Sequence, residues 1–389
     1  MRSLTLNKFK MYCIASDFYI DTIRASYVVP VNVGLLGSEI DVDIDCFEDG
    51  YDPDAATGYN SDRNGDQDFT IDDFYDLVYD GQWNYETLAE FCADVYEPGS
   101  QANTTGNAHG CLHDTLGFAI SCSSGLSASG MLYTTTVKVI HNDWDETEND
   151  YYYYYPTENN DLYSFAENMY SFFNNTDGAI AITNDEDLGY GDGNALNAIR
   201  EQFTKGQVLF GGIICLGSLE YDTYGAMEDG FALAPVPLYR VVDPATGEPD
   251  KYQTQIHNIG RVGAISATTT KFTQCTAYLD YQSLNSGEVL DEYYNFKLQY
   301  DVAGSGDNIT MLKYMRENIR SSFDKTFEDA IGRFFTSATD PDSNKWHKIL
   351  MDNKFLLNGS GMLTEYNKLI GTKISYLERL QMEYDSLPD

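Results

Sequence analysis

FYDLVYDGQWNYETLAEFC, residues 74–92, carries the clearest start signal in the chain. After Trp83 the sequence turns from mixed aromatic and acidic residues to helical spacing. Asn84 is a strong N-cap, because its side-chain oxygen can satisfy the free N–H groups of a first turn. Glu86 sits in that turn, where the helix dipole favours an acid. Leu88, Phe91, Cys92 and Val95 then fall on one stripe, the signature of a helix packed on one face. A capped, one-sided helix beside a tryptophan needs a partner layer, and the flanking sequence supplies strands.

Upstream, residues 11–33 read as extended. Tyr12, Ile14, Tyr27, Val28, Val29, Val31 and Val33 give a β-rich pattern, with Pro30 weakening its centre. Residues 41–73 read as an acidic loop and 99–130 as loops with short strands. The run Tyr151–Tyr155 reads as an edge strand with one packed face, and a carbohydrate-stacking role is a second reading. Residues 161–173 and 194–204 read as helices. Val208–Leu216 is a buried strand broken by Gly211 and Gly212, and glycines inside a strand mark close backbone approach. Phe231–Val236 and Arg261–Ala267 read as further strands, and 271–285 as a helix. Met311, Met315, Ile319, Phe323, Phe327 and Ile331 recur every four residues and predict a helix over 308–335. A last helix is expected over 362–386. Strands alternating with helices make the class α/β.

The bulk numbers exclude several functions. With 389 residues, two lobes with real cores are possible, and the net charge of −37 repels nucleic acid and anionic membranes alike. The seven cysteines form no CxxC pair and read as buried free thiols. No apolar run reaches the ~18 residues of a membrane span. Arg2, Lys8 and Lys10 precede an apolar patch, Met11–Ala15, that is too short and polar for a signal peptide. By itself this segment implies a cytoplasmic chain.

Searches for catalytic motifs yield little. There is no P-loop and no HExxH. Gly125-Leu-Ser127-Ala-Ser129 approaches a nucleophile elbow but ends in serine. Gly189-Tyr-Gly191-Asp-Gly193 lies among acids and reads as a turn. His109-Gly-Cys111-Leu-His113 has no second ligand cluster and reads as a loop. Asp62, Asn64, Asp66 and Asp68 follow the start of a calcium loop, with Phe69 in its apolar position and Asp73 at its end. Gln67 stands where the turn glycine belongs, and Asp73 where a bidentate glutamate belongs. Calcium there, or a merely solvated acidic loop, are the two readings.

A resemblance accumulates along the chain. Residues 74–92 look like the "DLV-x-x-G-x-W-T-x-[DE]" helix start of the bacterial extracellular solute-binding proteins of family 1, with Asn84 replacing the threonine. Phe203–Phe210 resembles their "F-x-x-G-x-x-x-[FM]" strand, and Phe231–Pro237 their "[FY]G-[IV]-x-P-x-P" strand. Lys251 to Ala267 resembles the strand that returns past the cleft, and Arg316–Phe327 a late helix. Met11–Asp17 resembles the strand before the first crossover between lobes, and Tyr27–Asn32 the crossover itself.

The resemblance implies a two-lobe, type II periplasmic-binding-protein-like fold. Residues 1–29 and 212–285 would form an N-terminal lobe whose opening segment is missing, and 30–211 and 286–389 a C-terminal lobe. An uncovered sheet edge and apolar face are expected in the incomplete lobe. A solute, expected to be an oligosaccharide, would bind in the interlobe cleft. Gly211, Gly212 and Ile213 would border that cleft, with His257 and Asn258 near its rim. Hinge closure would present the loaded form to an ABC permease. The chain would be a monomer, with no required cofactor and with calcium as an option. Its full-length form would be a cell-surface lipoprotein, although Cys13 is not the anchor cysteine. The alternatives are a glycoside hydrolase, which needs two facing carboxylates, and a calcium-organised carbohydrate-binding or adhesion module.

Overall fold

The computed structural model describes residues 20–39, 69–99, 114–121, 125–146, 150–182, 195–220, 222–227, 230–242, 250–257, 263–266, 268–298, 306–320 and 362–386, together with positions 111, 247, 324, 325 and 327. Helix α1 (Ile20–Arg24) leads into β1 (Tyr27–Asn32), α2 (Val33–Glu39), α3 (Ile71–Tyr79), α4 (Tyr85–Val95), β2 (Leu116–Ser121) and α5 (Gly125–Tyr133). There follow β3 (His141–Asp145), β4 (Asp150–Tyr154), α6 (Asn160–Asn175), β5 (Ala179–Ile182), α7 (Ala195–Thr204), β6 (Val208–Phe210) and β7 (Ile214–Cys215). A short 3-10 turn (Leu216–Glu220) precedes α8 (Asp222–Gly225), β8 (Phe231–Ala234), β9 (Thr254–Gln255), α9 (Phe272–Leu284) and α10 (Ser286–Glu292). After a π-helical turn (Tyr293–Leu298) come α11 (Gly306–Glu317), β10 (Ile319–Arg320) and α12 (Met362–Asp385). The class is α/β, as the alternation of elements predicts.

The main sheet is mixed, with order β5-β2-β6-β1-β7, and β8 pairs β1 on its other edge. β2 runs parallel to β5 and β6, whereas β1 is antiparallel to β6, β7 and β8. β1 is buried along its whole length, which explains its unbroken Tyr-Val-Val-Pro-Val-Asn composition. It stops where Asn32 accepts a hydrogen bond from Leu35 N at 3.1 Å and so starts α2.

β6 and β7 are one strand with a step in it. Val31 pairs with Phe210 and Val28 with Ile214, so two intervening residues of β1 face three on the other side. That is a β-bulge, and Gly212 adopts the φ of +79° it calls for. The step also resolves Pro30. Its carbonyl accepts from Gly211 N at 2.9 Å, and the N–H it lacks would face the same disrupted step. Pro30 therefore occupies a central strand without weakening it, contrary to the reading of its sequence.

The opening stretch forms the keystone of the core. Asn84 Oδ1 accepts from Glu86 N and Thr87 N at 2.8 and 3.1 Å, capping α4 as its sequence predicts. Trp83 is fully buried against Phe74 and Phe210, with ring centroids 5.0 and 4.8 Å away. Its indole N–H donates to the Pro235 carbonyl at 2.9 Å, so its polar edge is satisfied. Helix α3, not distinguished in the sequence, starts through Thr70, whose N and Oγ1 both donate to Asp73 Oδ2, at 2.8 and 2.7 Å.

Other expectations need correction. Residues 20–24 are helical, not extended, and 263–266 lie outside any named strand. The helix expected over 308–335 ends at Glu317, because Asn318 O accepts from Thr254 N and Ile319 and Arg320 pair with β9. Met311 and Met315 do form its buried stripe. β7 and β8, which fall in the segment 212–285 assigned to another lobe, join the sheet of β2, β5 and β6 through β1. Among the described residues, the remaining strands make only two pairs, β9 with β10 and β3 with β4. Helix α9 has no buried residue, and its Phe272, Tyr278, Tyr281 and Leu284 are exposed.

Two tests follow from this packing. At Gly212 an added Cβ would lie 2.6 Å from the Ala119 carbonyl, whereas at Gly206, with φ +76°, it would meet nothing within 4 Å. Both alanine variants carry the left-handed penalty, about 1 kcal/mol. Gly212→Ala adds a backbone clash, so urea denaturation will show it losing at least about 2 kcal/mol more than Gly206→Ala. Burial raises the Cys92 thiol well above its ordinary value and pushes Cys215 up to about 12. Both stay protonated and occluded at pH 8, so an alkylating reagent will modify them only after unfolding, as read by peptide mass spectrometry. Rapid labelling of either in the native protein would contradict this packing.

Candidate functional site

The parallel strands β5, β2 and β6 leave the sheet at one edge, and their order reverses between β2 and β6. Ligands of open α/β sheets bind outside the carboxyl ends of the strands at such a switch point. Here that edge carries Ser121 at the end of β2, the Gly211–Gly212–Ile213 step after β6, and α5 packed above them. Segments 122–124 and 183–194, which continue β2 and β5, lie outside the described residues.

The step is held tightly. Gly211, Gly212 and Ile213 are all buried. A Cβ on Gly211 would fall 2.7 Å from the Phe203 ring and 3.0 Å from Pro30. The Ile213 carbonyl accepts from Ser127 Oγ at 3.2 Å, tying α5 to the step. Ser127 is thus a buried helix anchor. Gly130, on the next turn, gives Ile213 its room, since a Cβ there would sit 2.4 Å from the Ile213 side chain. The same Cβ would lie 3.5 Å from the Tyr27 ring.

Tyr27, at the start of β1 and paired with Cys215 just beyond the step, meets His257. It is fully buried, and its hydroxyl and His257 Nδ1 are 2.7 Å apart. The two rings meet edge to face at 5.7 Å. His257 is half-buried, and its backbone N donates to Ala25 O at 2.8 Å, locking segment 254–257 beside the start of β1. Of the residues singled out in the sequence, Gly211, Gly212 and Ile213 form the step, His257 pairs with Tyr27 of the neighbouring β1, and Asn258 lies outside the described residues. By sequence Tyr27 reads only as a strand residue, and the signal that could have raised it is its placement at the head of the crossover segment Tyr27–Asn32.

A charged cluster fixes the neighbouring elements. Arg24 Nε and Nη2 donate to Glu220 Oε1 and Oε2 at 2.8 and 2.9 Å, a two-pronged pair. Tyr293 OH donates to Glu220 Oε1 at 2.8 Å, so α1, the 3-10 turn and the π-helical turn share one carboxylate. The hydrogen bond to Glu220 raises Arg24 above its ordinary range, and burial leads the rise of the Tyr293 phenol, with Glu220 adding to it. Beyond Tyr293, an open groove of about 760 Å³ is lined by Ile20, Glu288, Val289, Glu292, Phe296 and Lys297. It contains neither the glycine step nor His257. Its open, surface character makes the buried crossing the better-organised centre.

The calcium reading rests on Asp62, Asn64, Asp66 and Asp68, which lie outside the described residues. Asp73 is described, and its Oδ2 is the acceptor that starts α3. Among the described residues no group of three or more His, Cys, Asp or Glu side chains is placed to hold a metal.

Tyr27→Phe tests the linkage. Losing a hydroxyl partner of a half-buried imidazole costs about 0.5–1.5 kcal/mol, and Tyr27→Ala, which empties a core position, about 3–5 kcal/mol. Urea denaturation distinguishes the two, and a Tyr27→Phe variant as stable as the wild type would show that the hydroxyl contributes nothing. No protein-family model, no curated protein and no solved structure matches this chain.

Proposed function

We propose that this chain is a solute-binding protein of the ABC-importer type, taking a carbohydrate solute beside the crossing of β1 and β6–β7. The observation that carries the reading is topological. A parallel trio ordered β5-β2-β6 abuts an antiparallel β1, and the strand that follows the switch point steps past β1 through Gly211 and Gly212. A solute at that edge would lie beside the half-buried His257, with Tyr27 behind it. Binding of this kind needs no nucleophile and no metal. The finer two-lobe arrangement, hinge closure onto a permease and a lipid-anchored extracellular form belong to the same proposal, as does calcium held by the loop from Asp62 to Asp73.

The experiment is titration calorimetry and thermal unfolding with a panel of neutral oligosaccharides, followed by chromatography of the recovered sugar. At a hundred times its Kd, a solute that binds only the folded state adds about 2.7 kcal/mol. The expected result is a raised melting temperature with one sugar class and recovery of that sugar intact. Shortened products would replace the proposal with a glycoside hydrolase. No response to any sugar would overturn the carbohydrate assignment.

A further inference from the structure

The β3–β4 hairpin stands outside the main sheet. A lone two-stranded hairpin is marginal in water, so something must hold it. Helix α12 does so: Tyr153 N donates to Gln381 Oε1 at 3.1 Å, and Gln381 Nε2 donates back to Tyr153 O at 3.2 Å. Nearby, Tyr366 OH donates to Pro156 O at 2.5 Å.

The anchored hairpin carries an aromatic pair with one exposed member. Tyr152 and Tyr154 are two residues apart on β4 and so share a face. Their rings stack 6.1 Å apart at an interplanar angle of 11°. Tyr152 is 50% exposed. The register sets Asp143 opposite Tyr152 and His141 opposite Tyr154. Asp143 is exposed and hydrogen-bonds the Tyr154 hydroxyl, which raises that phenol. Burial and the charge of Lys138 lower His141, so its ring is neutral at pH 7 and adds no repulsion toward a cation.

The same combination of groups appears elsewhere in the chain with its cation in place. The Arg240 guanidinium lies 4.9 Å over the Tyr239 ring while its Nη2 donates to Asp161 Oδ1 at 3.1 Å. A tyrosine face and a carboxylate there share one guanidinium. The hairpin presents a tyrosine face and a carboxylate outward. From His141 to Tyr155 the sequence holds five carboxylates and no lysine or arginine, in a protein of net charge −37.

We propose that the Tyr152–Tyr154 face is a docking surface for an arginine-bearing peptide segment of a partner, with guanidinium planes stacked on the rings and forked onto Asp143. Arginine fits better than lysine, because its plane matches both the ring and the carboxylate, whereas ammonium is a point charge. The long-range field of an acidic protein steers such a segment inward and makes the association salt-dependent.

Fluorescence anisotropy of labelled hexa-arginine and hexa-lysine peptides with the full chain tests the proposal. Comparison is made with Tyr152→Ala, Tyr152→Phe, Asp143→Asn and, as a remote exposed-aromatic control, Tyr278→Ala. Circular dichroism verifies that each variant is folded. The arginine peptide is expected to bind more tightly than the lysine peptide. Tyr152→Ala should weaken it about two- to fivefold, the range of an exposed cation–π contact. Asp143→Asn should weaken it as well, while Tyr152→Phe, which keeps the ring, and Tyr278→Ala should match the wild type. Equal binding of both peptides with no effect of Tyr152→Ala would mean diffuse attraction to an acidic surface and overturn the proposal. Absence of binding would overturn it too. So would a neutral oligosaccharide whose binding Tyr152→Ala abolishes, since the face would then be a sugar platform.

Discussion

The rest of the structure depends on one backbone crossing, where β1 and the stepped strand β6–β7 run past each other in opposite directions. β1 can lie fully buried between β6–β7 and β8 only if its polar groups are paired on both sides. Pro30 removes one donor from that ladder. The bulge at Gly211–Gly212 answers the loss, because the ladder is interrupted at the place where the donor is missing. The left-handed φ of Gly212 and the contact of Gly211 with Phe203 and Pro30 leave both positions without room for a side chain. The crossing is therefore a local backbone solution, and the surrounding core is shaped to it.

That core is organised by aromatic rings. Trp83 touches the rings of Phe74, Phe91 and Phe210, and its polar edge reaches Pro235. One side chain thus joins the α3–α4 turn to β6 and to the segment beyond β8. Rings meeting edge to face add about 0.5–1.5 kcal/mol each beyond their buried area. The crossing is clamped from one side by this cluster and from the other by α5, whose Ser127 and Gly130 admit Ile213 to close contact. Rigid backing of this kind is what a binding edge requires, since a solute can be recognised only by groups that do not yield to it.

Charge has a different part. The fold contains ordered ion pairs, chief among them Arg24 with Glu220, and the net charge of −37 acts at long range on whatever approaches. At the crossing, Tyr27 and His257 meet through one hydrogen bond. The hairpin face combines the same type of ring with an exposed carboxylate, which suits a cation. Two tyrosine environments of one chain thus differ in the groups set beside them.

The sequence by itself indicated the class, the helix after Trp83, strands within 11–33, Val208–Leu216 and Phe231–Val236 that proved shorter, and the close backbone approach at the paired glycines. Each is a local property: a capping side chain, an apolar stripe, a β-branched run, or a residue type that alone tolerates a given φ. Periodicity misled where a distant partner intervened. The four-residue repeat runs on through Ile319, yet that residue is drawn into β10 by Thr254 of β9. β7 and β8 lie in the segment expected for another lobe and pair with β1, because strand pairing is a long-range choice that β1 made on both of its edges. Asn258 and the loop from Asp62 to Asp68 were legible as motifs, yet fall outside the described residues. Only the tertiary structure could bring Tyr27 to His257 across 230 positions of chain. Loop closure over such a distance is set by the packing of the whole, and no local pattern in the residues records it.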